Sequence, residues 1–157
     1  MAADGMIGNG TKFAYSSSSP VSWTNIGQLL DINGLELVRD KIDRTVHTTN
    51  IQKRSLPGMA EVTDFDCTVL SDPDQSTTQG AIQKALRDLV AAGTTVWWRL
   101  EIPVDRSQSA YKAFEFQGYV RRWMMGTAIE DRQEFPITIS FDGDGISEYE
   151  AGASAIS

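Results

Sequence analysis

The sequence predicts a mainly β protein: an antiparallel β-sandwich or open barrel with one flanking α-helix and a long arm between two strands. Three observations carry this. Segments that alternate apolar and polar residues recur along the chain, at 11–15, 65–69, 96–102, 113–124 and 135–141. One stretch alone, about residues 77–92, repeats its apolar residues at helical spacing. Between strand-like residues near 35–38 and 65–69 lies a polar stretch, 41–60, with neither period.

Residues 1–10 are small and Gly-rich and read as a flexible lead-in. The first strand follows, with Phe13 and Tyr15 on one side. After the Ser-rich loop 16–20, residues 22–26 read as a short strand anchored by Trp23. Leu35 and Leu37 then alternate with Glu36 and Val38. The arm at 41–60 is rich in Thr, Asn, Arg and Lys and ends in a turn signal, Leu56-Pro57-Gly58. Beyond it Phe65, Cys67 and Val69 alternate with Asp64, Asp66 and Thr68.

Ser76 and Gln79 stand in capping-box spacing, and Ile82, Ala85, Leu86, Leu89 and Val90 form one apolar stripe with Gln83, Lys84, Arg87 and Asp88 turned to water. Gly93 ends the helix. Val96, Trp98, Leu100 and Ile102 make one face of the next strand, and Arg99 and Glu101 form a charge pair on the other. In the long strand 113–124, Phe114, Phe116 and Val120 share a face, Tyr119, Arg121 and Trp123 take the opposite one, and Gly118 marks a bulge or close approach. Phe135, Ile137, Ile139 and Phe141 form the last clear strand, which Pro136 assigns to an edge or a late start. Residues 143–157 read as a tail with little to hold it.

With 157 residues the chain makes a single domain. Its net charge of −7 disfavours nucleic acid as a partner for the average surface. No apolar run approaches the roughly 20 residues of a membrane helix. Residues 1–5 lack the basic and apolar regions of a signal peptide, and one cysteine excludes an intrachain disulfide framework.

Three motifs stand in a fixed order: Gly8-Asn9-Gly10-Thr11 ahead of the first strand, Arg39-Asp40-Lys41-Ile42-Asp43-Arg44-Thr45, and Pro57-Gly58-Met59 before a strand carrying alternating acids. This order, over roughly residues 6–141, resembles the tail tube (major tail) proteins of long-tailed bacteriophages. The resemblance implies a non-enzymatic structural subunit of the virion tail, synthesised in the bacterial host cytoplasm. It implies hexameric rings that stack into a tube, tape-measure and tail-terminator proteins as partners, and DNA passing through the lumen without specific binding.

Subunit contacts then fall to the arm, at Asp43, Arg44, His47, Ile51, Lys53, Arg54, Leu56, Pro57, Gly58 and Met59, and the candidate lumen acids are Asp64, Asp66, Glu115 and Glu134. A tube of a contractile tail or secretion device has the same architecture. A carbohydrate-binding β-sandwich using Trp97, Trp98 and Trp123 is the more distant alternative.

Catalytic and metal chemistry find little support. The single histidine, His47, sits in the arm, a poor host for a shaped catalytic pocket. One His and one Cys do not make a zinc set, and Asp142, Asp144, Glu148 and Glu150 lack the spacing of a calcium loop. No cofactor is implied.

Overall fold

The computed structural model describes residues 10–17, 22–27, 29–32, 36–43, 55–105, 107–124, 133–143 and 145–156. Its strands are β1 (Lys12–Ser16), β2 (Thr24–Asn25), β3 (Leu29–Ile32), β4 (Leu37–Asp43), β5 (Ser55–Val62), β6 (Phe65–Leu70), β7 (Val96–Pro103), β8 (Tyr111–Trp123), β9 (Glu134–Phe141) and β10 (Ser147–Gly152), and α1 spans Thr78–Ala92. Eight strands form one antiparallel sheet in the order β2-β1-β7-β8-β9-β6-β3, with β10 also paired to β8. β10 runs beside the first half of β8 on the side that β9 takes beside its second half. β4 and β5 make a separate two-stranded sheet.

The alternating residues define one buried face. Phe13, Phe65, Cys67, Val69, Val96, Trp98, Leu100, Phe116, Val120, Phe135, Ile137 and Ile139 form the core with Ile26 and Leu86. The rings of Phe13 and Phe65 lie 5.1 Å apart although β1 and β6 are not sheet neighbours. The sheet therefore curls into an open, unclosed barrel. Each large apolar side chain removed from water contributes about 1.5–3 kcal/mol. The Trp98 indole N–H keeps a partner, donating to the Gly118 carbonyl at 3.0 Å. Gly118 is a close approach, since a Cβ there would lie 2.6 Å from the Ser140 carbonyl oxygen.

α1 covers the core as expected, but its N-cap is Thr77, whose hydroxyl accepts from the Gly80 N–H at 3.1 Å. Ser76 instead donates to Asp74, in the turn before the helix. Gly93 closes the helix in the left-handed region at φ 64°, its N–H bonded to the Leu89 carbonyl. Gln83, expected to face water, is buried: its amide donates to the Leu70 carbonyl at 2.8 Å and accepts from the Asp72 N–H at 2.9 Å. It ties the helix to the end of β6.

Other differences have local causes. Arg121 is an extra residue between the pairs Val120↔Ile139 and Arg122↔Thr138, and this bulge turns Trp123 back to the core side, against Phe135 at 5.5 Å. Trp123 thus leaves the face of Tyr119 and Arg121. Pro136 lies in an interior strand, not an edge, and is tolerated because β8 ends opposite it.

Leu56, Pro57 and Gly58 are not a turn but part of β5, where Met59 and Gly58 together oppose Asp40 in a bulge. A Cβ on Gly58 would sit 2.9 Å from the Asp40 Cβ. The C-terminal residues, expected to have little to hold them, are held: β10 pairs with β8 and Ile156 is buried. None of the helices is long and apolar enough to cross a membrane, among the described residues.

Candidate assembly interface

Among the described residues, β4 and β5 form a ribbon that pairs with no strand of the larger sheet, and no residue of the core comes from it. A two-stranded ribbon is marginally stable in water by itself. This one carries apolar side chains in the open. Ile42 stands directly opposite Leu56, both exposed, while Leu37 is 69 % and Met59 83 % exposed. Inside the ribbon, Arg39 Nη1 donates to the Gly58 carbonyl at 2.8 Å.

Of the expected arm contacts, Asp43 ends β4 opposite Ser55, and Leu56, Pro57, Gly58 and Met59 lie on β5. Arg44, His47, Ile51, Lys53 and Arg54 lie outside the described residues. Leu37, read from the sequence only as a strand residue, and Ile42, read only as part of a motif, join this surface. Their pairing partners, Val62 and Leu56, lie 25 and 14 residues away in the chain, so only the register brings the apolar pairs together.

The candidate lumen acids do not share one environment. Asp64 pairs with Arg121 and accepts from the Ser140 hydroxyl at 2.9 Å, and Asp66 accepts from the Thr138 hydroxyl at 2.7 Å. Both are exposed, on the outward side of β6 and β9. Glu134 opens β9, half-buried and opposite Leu70. Glu115 is a correction: it is buried and paired with Arg99, so it presents no free carboxylate.

That pair belongs to a cluster that sequence alternation caught only as a charge pair. Glu101 is fully buried, accepting from Arg99 Nε at 2.7 Å, the Ser154 hydroxyl at 2.6 Å and the Ala155 N–H at 2.9 Å. Lys12 Nζ donates to the Ser154 hydroxyl at 3.2 Å and the Ile156 carbonyl at 3.3 Å. The C-terminal segment is thereby clipped over β1 and β7. Burial acts to raise the Glu101 carboxyl, but the Ser154 hydroxyl, the Arg99 guanidinium and the Ala155 N–H outweigh it and hold the carboxyl below its usual range. Burial and the neighbouring Asp66 push the Cys67 thiol up to about 12, which makes it an inert core residue. No group of three or more metal-ligating side chains occurs among the described residues.

No protein-family model matches the sequence, and no curated protein matches it. Solved structures do match. A chain of the anti-feeding prophage baseplate, 6-fold symmetrised, superposes with a TM-score of 0.71 at 10 % identity, over 95 % of this chain and 97 % of that one. This is the fold of phage-type tail components. A chain of the sheath/tube terminator of an extracellular contractile injection system matches with a TM-score of 0.67 at 11 % identity, covering 94 % and 99 % of the two chains. The SPP1 tail tube matches with a TM-score of 0.59 at 16 % identity, covering 92 % of this chain and 77 % of that one. At such identities the likeness is one of fold, with the side chains almost wholly replaced.

Proposed function

We propose that this chain is a structural subunit of a viral tail tube, self-assembling into stacked hexameric rings that conduct DNA into the host. The observation that carries it is the ribbon, apolar and detached from the core, on a fold shared with the SPP1 tail tube. Among the described residues β3 has a neighbour on one side only, and β2 holds β1 through just two residue pairs. Open edges invite pairing with an identical chain, and a head-to-tail contact that closes makes a ring.

The ribbon, together with Arg44, His47, Ile51, Lys53 and Arg54 from the chain between its two strands, contacts a neighbouring subunit or ring. Asp64, Asp66 and Glu134 serve as lumen acids that keep DNA from adhering, with Arg121 moderating Asp64. Tape-measure and terminator proteins are the expected partners in the virion tail, after synthesis in the host cytoplasm. A second reading, the tube of a contractile device, is favoured by the match to the contractile injection system. A sheath gene beside this one would decide for it.

Electron microscopy of the purified protein tests the proposal. Rings or tubes are expected, and a chain that stays monomeric at high concentration would refute it. Deleting residues 50–55 is expected to leave a folded subunit that no longer stacks, whereas tubes of normal length from that variant would remove the arm from the mechanism.

A further inference from the structure

β10 takes up the line of β9 along β8: Phe141 stands opposite Gly118, the Asp142 N–H donates to the Gln117 carbonyl, and Ser147 resumes opposite Glu115. The far side of β9 is covered by β6. That of β10 is not, because the chain ahead of β6 leaves the sheet. β6 begins at Phe65, and the eight residues Ser55–Val62 before it pair with β4 instead. Among the described residues β10 therefore pairs with β8 alone, and the outer edge of a six-residue strand stays open. The segment that follows does not close it, since Ser154, Ala155 and Ile156 bind Glu101 on β7 and Lys12 on β1, on the other side of β8.

An open edge is a template for another strand, and its side chains decide which one. Glu148, Tyr149 and Glu150 of β10 are all exposed, and Lys112 on β8 offsets only Glu148 by direct contact. The other open edges among the described residues are those of β2, β3, β4 and β5. β2 has two residues, too few for a ladder. β3 carries Asp31 and would set like charges against β10. β5 holds Pro57, which has no N–H to donate, and Glu61. β4 alone brings cations, Arg39 and Lys41, both exposed and two residues apart as neighbours on one face of a strand are. Of its acids, Asp40 points to the opposite face and Asp43, at the end of the strand, is already engaged.

We propose that β4 of a second copy of the chain adds to the open edge of β10, with Arg39 and Lys41 set against Glu148 and Glu150. This names the strands that meet in the assembly proposed above, and it rests on that reading.

Hydrogen exchange tests the backbone pairing. The outward N–H groups of β4 and β10 are expected to exchange about a hundredfold more slowly in tubes than in free subunits. A charge exchange tests the partners. One chain carries Arg39→Glu with Lys41→Glu, the other Glu148→Lys with Glu150→Lys. Each alone sets like charges across the joint and is expected to need about tenfold more protein to assemble, with an unfolding temperature close to that of the wild type. Mixed in equal amounts the two are expected to assemble at the wild-type concentration, because every copy then meets a complementary edge on both sides.

Tubes in which the outward N–H groups of β10 exchange as fast as in the free subunit would overturn the pairing and leave the tube reading intact. So would protection of β4 alone, the mark of two β4 edges meeting, and so would β10 groups already protected in the free subunit. Chains that assemble no better mixed than apart would assign the edge to a different strand and overturn it as well. A wild-type chain that never assembles removes the tube reading and the pairing with it.

Discussion

Glu101 sits between Leu100 and Ile102, yet it is more buried than Ile102. It escapes the cost of a lone buried charge because three donors converge on it. Removing it leaves Arg99, among the described residues, with Glu115 as its one carboxylate partner. Glu101→Ala is expected to lower stability by about 3 kcal/mol in urea unfolding, as for other broken buried pairs. Because the folded carboxyl binds its proton less readily than the unfolded one, its stabilisation is complete above the ordinary value of 4.5 and fades as pH falls through the folded value. The gap between wild type and Glu101→Ala should therefore narrow below about pH 4.5, and an unchanged gap in acid would show that the carboxylate charge is not what binds the segment. Alternation in the sequence already set Arg99 and Glu101 on one face. That the face is covered depends on Ser154 and Ala155, some fifty residues on, and no local pattern reports it.

At the scale of the element, α1 was readable from its stripe and from Gly93, and its start is off by one residue for a clear reason. Both Ser76 and Thr77 are good caps, and the turn decides between them. Asp74 accepts from the Ser76 N–H and hydroxyl, which leaves Thr77 to accept from the Gly80 N–H. Thr77→Ala is expected to cost about 1 kcal/mol in urea unfolding and Ser76→Ala clearly less. The reverse order would place the cap at Ser76. β8 was equally legible up to Val120, after which the bulge at Arg121 reverses the phase. An inserted residue leaves no mark in the alternation until its partner strand is known.

At the scale of the whole molecule, the division into body and ribbon matters most. The body holds its own core, whereas the ribbon's apolar side chains have water for a neighbour. Ile42→Asp and Leu56→Asp are each expected to change the stability of the isolated chain by no more than about 0.5 kcal/mol, as exposed substitutions do. They should nonetheless abolish rings and tubes in electron micrographs. Variants that unfold instead would show that the ribbon serves the fold of its own subunit, and variants that assemble normally would place the subunit contact elsewhere.

Side-chain periodicity was enough to determine the β class, the place of the single helix and most of the core, because burial on one face of a strand or helix writes itself into neighbouring residues. The curl that brings Phe13 to Phe65, the clip of Ser154 onto Glu101 and the isolation of the ribbon were decided only in three dimensions. Each joins or separates residues far apart in the chain, and such pairings are chosen by how the completed sheet closes on its core.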